Sequence, residues 1–379
     1  MSNGHVMCHV QHLMGSGHQW RAAAVSRALC ALGWNVTYVS GGLPLPGLDV
    51  GYACFVQLPG ARAADMSYQT LVDERGRAVD HEWRAKRRAM LLETFERRRP
   101  DVLLLETFPF GRRLLHFELL PLLEAAHARR PRPRIVCSVR DVLENRPKPG
   151  RNEEIVELVD RYFDLILVHS DPELVPLEAT FPLARQIKSK IRYTGYVMAH
   201  PHRSSSAAVG RDEVIVSAGG AAFGEHLLAA AIEARSLSSL RADTWRILAG
   251  HNLAASRFTR LQARATDGLI IERSRADFTT LLRNCAVSVS QAGYNTMLEV
   301  LQAGAPAVVV PYSDAREQEQ AVRARMLQQH GLIEVVANSE LTPSRLAQAV
   351  DQARHRSPGD RPNIRMNGAS TTARLIANN

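Results

Sequence analysis

Four places in this 379-residue chain combine residue types and spacings that can do chemistry. In Gly15-Ser16-Gly17-His18 a histidine follows two glycines where the apolar stretch Val6–Val10 gives way to an Ala-rich segment. The positive end of a helix favours the neutral imidazole, and a neutral imidazole can take a proton. The plainer reading of His18 is that it caps or packs. In residues 287–320, Gly293-Tyr294-Asn295-Thr296 precedes a helix-periodic run bearing Glu299, and Glu319-Gln320 follows the next apolar stretch. A glycine turn opening a helix offers backbone N–H groups to a phosphate, and the carboxylates and amide are acceptors for sugar hydroxyls. Thr296-Met297-Leu298-Glu299 also fits a capping box, so Glu299 has a structural reading beside the functional one. A second glycine turn, Ala218-Gly219-Gly220-Ala221, follows Val214–Ser217. Finally, Arg140-Asp141 closes an apolar run, where Asp141 either assists catalysis or acceptor binding or caps the next segment.

The elements that must position these residues are legible as alternating strands and helices. Strands are expected at Val6–Val10, Asn35–Val39, Ala53–Gln57, Val102–Glu106, Arg134–Val139 and Asp164–His169, then at Val214–Ser217, Thr244–Ala249, Gly268–Ile271, Ala286–Ser290 and Ala307–Val310. Helices are expected from the Gly15–His18 loop to about Leu32, over Trp83–Arg99, from near Glu225, from about Thr296, and in the tail Asn363–Ile376. Such alternation belongs to α/β folds with parallel, doubly wound sheets, whose ligands lie at the carboxyl ends of strands. The Pro-, Gly- and Ser-rich run Gly195–Gly210 reads as a linker. Two domains follow, residues 1–195 and 213–379, joined by 196–212.

Composition excludes several classes. The net charge of +9 divides as +5 for residues 1–200 and +4 for the rest, so neither half is a dedicated polyanion binder, and no nucleic-acid partner is expected. Five cysteines, odd in number and widely spaced, resemble buried thiols rather than bridges or a metal site. The start has no charged-then-apolar leader and no apolar run approaches about 18 residues, so a cytoplasmic protein is expected. Within 83–99, Trp83, Met90, Leu91 and Phe95 trace an apolar face while Arg84, Lys86, Arg87, Arg88 and Arg97–Arg99 lie elsewhere. That basic helix is either a solvated face or a peripheral contact for an anionic membrane. The loop Gly15-x-Gly17 lacks the third glycine of a dinucleotide fingerprint, so no nicotinamide site is expected. No Asp-x-Asp or His/Cys spacing implies a metal.

The stretch 290–320 resembles the nucleotide-sugar signature of the glycosyltransferases of family 28, the MurG-like group. The wording of Gly293–Thr296 and of Glu319–Ala324 is similar to a less characterised branch of predicted glycosyltransferases of that type. The resemblance implies a GT-B fold of two Rossmann-like doubly wound domains with an interdomain cleft, the tail helix crossing back to the first. It implies a metal-independent, inverting transfer from a UDP-sugar, uridine being the family expectation and N-acetylhexosamine one candidate sugar, to an acceptor whose identity stays open. Gly219, Gly220, Ala221, Gly293, Tyr294, Asn295 and Thr296 would then line the diphosphate, Glu299 the ribose, and Glu319 and Gln320 the sugar. Gly17 and His18 would lie beside the reacting carbon, with His18 as base and Asp141 as its alternate. The donor is a substrate, and no cofactor is implied. Gly15–Arg21 is also similar to the loop of PseG-type nucleotide-sugar hydrolases, so hydrolysis is the second reading, with an inactive nucleotide-sugar-binding protein as the third.

Overall fold

Runs such as Val102-Leu103-Leu104-Leu105, apolar at successive positions, suit parallel strands covered by helices on both faces. In a computed structural model, which describes residues 3–65, 67–143, 149–198, 208–219, 224–313, 318–355 and 363–378, they form two parallel sheets in two compact units. One unit comprises Met1–His200 with Arg365–Asn379, and the other Pro201–Ile364.

The first unit contains β1 (His5–Val10), α1 (Gly17–Ala31), β2 (Asn35–Ser40), β3 (Cys54–Gln57), the hairpin β4 (Ala61–Ala63) and β5 (Leu71–Asp73), and α2 (His81–Arg98). It continues with β6 (Val102–Glu106), α3 (His116–Ala128), β7 (Arg134–Arg140), α4 (Arg151–Tyr162), β8 (Leu165–His169) and β9 (Ile191–Tyr193). Its seven-stranded sheet runs β3-β2-β1-β6-β7-β8-β9. Alternate residues of the strands serve opposite faces. Met7, Leu103 and Leu105 pack with Leu91 and Phe95 of α2, while Val6, Cys8 and Leu104 pack with Val25 and Leu29 of α1. Strand order reverses between β1 and β6, the crevice where open α/β sheets bind ligands.

The second unit contains β10 (Val214–Ser217), α5 (Glu225–Ala234), β11 (Trp245–Ala249), α6 (Ala255–Gln262), β12 (Leu269–Arg273), α7 (Phe278–Asn284) and β13 (Val287–Ser290). Then come α8 (Tyr294–Ala303), β14 (Ala307–Val309), α9 (Glu319–Gln329), β15 (Glu334–Val335) and α10 (Pro343–Arg354). The sheet order is β12-β11-β10-β13-β14-β15, with its reversal between β10 and β13. The last helix, α11 (Gly368–Ala377), returns to the first unit, where Ala373 and Ile376 join the α1 side of the core.

Three differences from the reading of the sequence arise here. The tail helix begins at Gly368 rather than Asn363, because the preceding residues pair with part of the expected linker. Tyr196 donates to the Arg365 carbonyl at 2.7 Å, Gly368 donates to the Tyr196 carbonyl at 2.9 Å, and Val197 bridges Asn367. The chains touch so closely that a Cβ on Gly368 would sit 2.3 Å from the Gly195 carbonyl oxygen. Gly368→Ala is therefore expected to lower stability by roughly 1–3 kcal/mol, the usual cost of overpacking, seen as a lower urea midpoint with unchanged slope.

Second, α2 is not basic all along its outer side. Arg87 is fully buried, donating to both carboxylate oxygens of Glu118 at 2.7 and 2.9 Å and to Gln11 Oε1 at 2.8 Å. Third, the hairpin β4–β5 and the short strands β9 and β15 were not foreseen. Runs of two or three residues carry too little periodicity to register.

Candidate active site

At the reversal point of the first sheet, β1 ends in the loop Gln11–Ser16 and α1 starts at Gly17, placing His18 in the helix's first turn. Ser16 makes no side-chain cap, so the first N–H groups of α1 are left facing the loop. Across the crevice β6 ends in Glu106, fully buried. His18 Nδ1 lies 2.9 Å from Glu106 Oε1. Arg21, one turn further along α1 and also buried, makes an ion pair with the same oxygen. Thr107 Oγ1 donates to Glu106 Oε2 at 2.8 Å, and the Arg112 guanidinium stands 3.7 Å from it.

The charges settle the protonation states. Burial alone would raise the Glu106 carboxyl, but His18, Arg21 and Arg112 together hold it well below the ordinary carboxylate range. Burial, aided by the two arginines and opposed by Glu106, pushes His18 down to about 3, so the imidazole is neutral at ordinary pH. A carboxylate has no proton to offer, so the 2.9 Å contact requires the hydrogen on Nδ1; Arg21 Nη2, 3.1 Å from the same nitrogen, has Glu106 Oε1 as its nearer partner. Nε2 is then the basic nitrogen, and the arrangement is an imidazole oriented by a buried carboxylate.

The second unit presents a different surface at its own reversal point. Gly219 follows β10 with φ of +65°, a left-handed turn residue. A Cβ there would lie 3.8 Å from Thr296 Oγ1, so the turns after β10 and β13 converge. Helix α8 starts at Tyr294 with Gly293 as its N-cap and no side-chain cap. Among the described residues, nothing lies within 4 Å of a Cβ built on Gly293. The capping box anticipated at Thr296–Glu299 does not form: the helix begins two residues earlier, and Thr296 and Glu299 are both interior to it. Glu299 is instead a half-buried carboxyl raised to about 7 by burial, with no hydrogen bond or ion pair to the described residues. Ser290 Oγ and Asn295 Oδ1 nearby are also buried, without a partner among the described residues.

Glu319 and Gln320 open α9. Glu319 Oε1 accepts from Arg323 at 2.7 Å, and Gln320 Oε1 accepts from the Tyr312 backbone at 3.1 Å. Buried Arg323 also donates to the Ala292 carbonyl at 2.7 Å and lies over the Tyr294 ring, tying the glycine turn, α8 and α9 together. Gly220 and Ala221 lie outside the described residues. Asp141 is fully buried and accepts from the adjacent Val142 N–H at 2.8 Å.

Residues 261–379 match the glycosyltransferase family 28 C-terminal domain. Through this stretch the chain is similar to the glycosyltransferases of family 28. An uncharacterised glycosyltransferase of Methanopyrus kandleri, MK0977, is 29% identical over 168 residues, which are 43% of this chain and 44% of that protein. The UDP-N-acetylglucosamine–N-acetylmuramyl-(pentapeptide) pyrophosphoryl-undecaprenol N-acetylglucosamine transferase of Brucella anthropi is 35% identical over 77 residues, 20% of each chain. The chain thus aligns with less than half the length of the curated relatives it matches. The MurG structure of Acinetobacter baumannii superposes with a TM-score of 0.62 at 16% identity, covering 99% of this chain and all of that one. This likeness gives the fold, GT-B, with its two Rossmann-like units. The matched stretch contains Gly293–Thr296, Glu299, Glu319 and Gln320; His18 and Glu106 fall outside it.

Glu106, Thr107, Arg112 and Arg323 were not singled out in the sequence. The signal for Glu106 was present: a charged residue ending the apolar run Val102-Leu103-Leu104-Leu105 marks a strand's carboxyl end. Arg21 shares a helix face with His18 by its i, i+3 spacing. Among the described residues, no helix is long and apolar enough to cross a membrane.

Proposed function

We propose that this chain transfers a sugar, with inversion, from a nucleoside diphosphate sugar to a hydroxyl or amine acceptor. The observation that carries this reading is the His18–Glu106 pair, a neutral imidazole with Nδ1 fixed by a buried carboxylate. Nε2 takes the acceptor's proton as the acceptor atom bonds to the anomeric carbon. The bond from that carbon to the phosphate oxygen breaks, and the diphosphate leaves with the electron pair. Glu106 stabilises the imidazolium formed, and a single displacement inverts the carbon.

In the second unit, the uncapped start of α8 and the Gly219 turn are suited to the diphosphate, whose developing charge backbone N–H groups can stabilise without a metal. Glu299, with no partner among the described residues, is suited to ribose hydroxyls, and the amide nitrogen of Gln320 to the sugar. The donor proposed is a UDP-sugar of the N-acetylhexosamine class. It is supported by the family 28 domain and by the substrate named for the Brucella enzyme.

Incubation of the protein with a panel of nucleotide sugars, in chelator, with and without cell extract, is expected to yield a new glycosylated product only when extract is present. Mass spectrometry reads both product and released sugar. Free sugar released equally fast without extract would establish the hydrolase reading. Turnover that requires added magnesium would overturn the metal-independent part.

A further inference from the structure

The turn after β6 carries a feature that catalysis by His18 alone does not require. Thr107, the first residue beyond the strand, has φ of +68°, and Arg112, at the far end of the same turn, also has φ of +68°. A β-branched residue in left-handed backbone is disfavoured sterically, and such conformations persist only where the surroundings impose them. Here the Thr107 N–H donates to the Ser138 carbonyl of β7 at 2.7 Å, and the Thr107 carbonyl accepts from Gly111 at 3.0 Å. The Thr107 methyl fills the space where Gly111 would carry a side chain: a Cβ there would lie 2.9 Å from it. Packing on the methyl leaves the Thr107 side chain little rotational freedom, which aims its hydroxyl.

That hydroxyl meets Glu106 Oε2 at 2.8 Å, while Glu106 Oε1 faces His18 Nδ1 at 2.9 Å. A carboxylate with one oxygen anchored presents the other in a single orientation. Glycine or asparagine would suit the backbone of position 107 better, but glycine offers no hydroxyl and asparagine has a different reach. We propose that Thr107 is a positioning residue: its strained backbone holds its hydroxyl on Glu106 so that the carboxylate fixes the tautomer and direction of the His18 imidazole. The link to turnover rests on His18 acting as the base, whereas the link to the imidazole does not.

Three substitutions and two readouts test this in the full-length protein. Thr107→Val keeps the shape and removes the donor, Thr107→Ser keeps the donor, and Thr107→Gly relieves the backbone. With UDP-N-acetylglucosamine as probe and cell extract as the acceptor source, Thr107→Val is expected to lose turnover by roughly 10- to 100-fold, the range for a hydrogen bond to a charged group, with little change in donor KM. Thr107→Ser should stay within about threefold of wild type, because the bond is retained. Thr107→Gly should show the turnover loss of the valine variant with a Tm no lower than that of Thr107→Val, since the relieved backbone offsets the lost side chain, a combination that a purely structural residue does not give. Imidazole 15N shifts should report one protonated Nδ1 on His18 in wild type and Thr107→Ser, and mixed tautomers in Thr107→Val. Wild-type imidazole shifts in Thr107→Val, or Tm and turnover falling in parallel in all three variants, would overturn the proposal. The 15N readout needs no donor. If His18→Ala turned over normally while Thr107→Val still scrambled the tautomer, the positioning role would stand and the base assignment would fall.

Discussion

His18→Ala is expected to lose turnover by about 10²–10⁴-fold, the range for removal of a general base, while binding donor nucleotide as wild type does. The residues suited to the nucleotide lie in the second unit, on α8, α9 and the turn after β10, so binding and turnover should separate cleanly. The pH profile gives an independent check. A histidine pushed down to about 3 stays neutral as pH falls from 8 to 5, so kcat should show no acid limb from this group in that window. The same shift bears on stability. A histidine with a depressed folded-state value favours folding above the unfolded value, near 6.5, and loses that contribution as pH falls toward its folded value. His18→Ala should therefore flatten part of the acid limb of the unfolding curve. Wild-type turnover in His18→Ala would remove the imidazole from the mechanism. If wild type and variant both bound a nucleotide sugar but neither turned it over, the chain would be a binding protein.

Glu299→Gln is expected to do two opposite things. Nucleotide affinity should fall by roughly 1–3 kcal/mol, because a charge-assisted hydrogen bond to a ribose hydroxyl is lost. The unliganded protein should meanwhile become more stable at pH 8, by about 1–3 kcal/mol, since a buried carboxyl raised to about 7 by desolvation is ionised there at a cost that glutamine avoids. The sign follows from linkage. The folded state holds its proton to higher pH than the unfolded chain, so this group's contribution to stability is present below the unfolded value near 4.5 and is lost as pH rises through about 7.

Binding should show the reverse dependence. Ribose hydroxyls donate to the ionised carboxylate, so affinity should strengthen as pH rises from 6 to 8 in wild type and not in Glu299→Gln. Calorimetry and thermal melts at the two pH values measure both effects. A capping residue would behave otherwise, with reduced stability and unchanged affinity. Unchanged affinity at both pH values would exclude Glu299 from the nucleotide site.

Local pattern was enough to specify much of this protein. Val102–Glu106 and Val214–Ser217 form strands at the residues their composition marks, and α5 starts at Glu225 as the end of the second glycine turn implies. Glycine turns after strands, helices after the turns, and the motif residues 293–320 are contiguous features, written within a few residues of one another. They were sufficient for the fold class and for the family resemblance.

What lay beyond reach depended on distance along the chain or on a small difference in free energy. The partners His18 and Glu106 are 88 positions apart, and only the β1–β6 pairing at the sheet's reversal point brings them together. Arg87 looked like one arginine of a basic run until α3 placed Glu118 against it, since burial of a charge is decided by its partner and not by its neighbours in sequence. The capping box at Thr296–Glu299 failed for a subtler reason. One cap is worth only about 0.5–2 kcal/mol, and starting α8 at Tyr294 buries that ring against Arg323, a residue on another helix. That choice leaves Glu299 without a structural partner, so the feature that makes it a candidate for binding arises only from the tertiary fold.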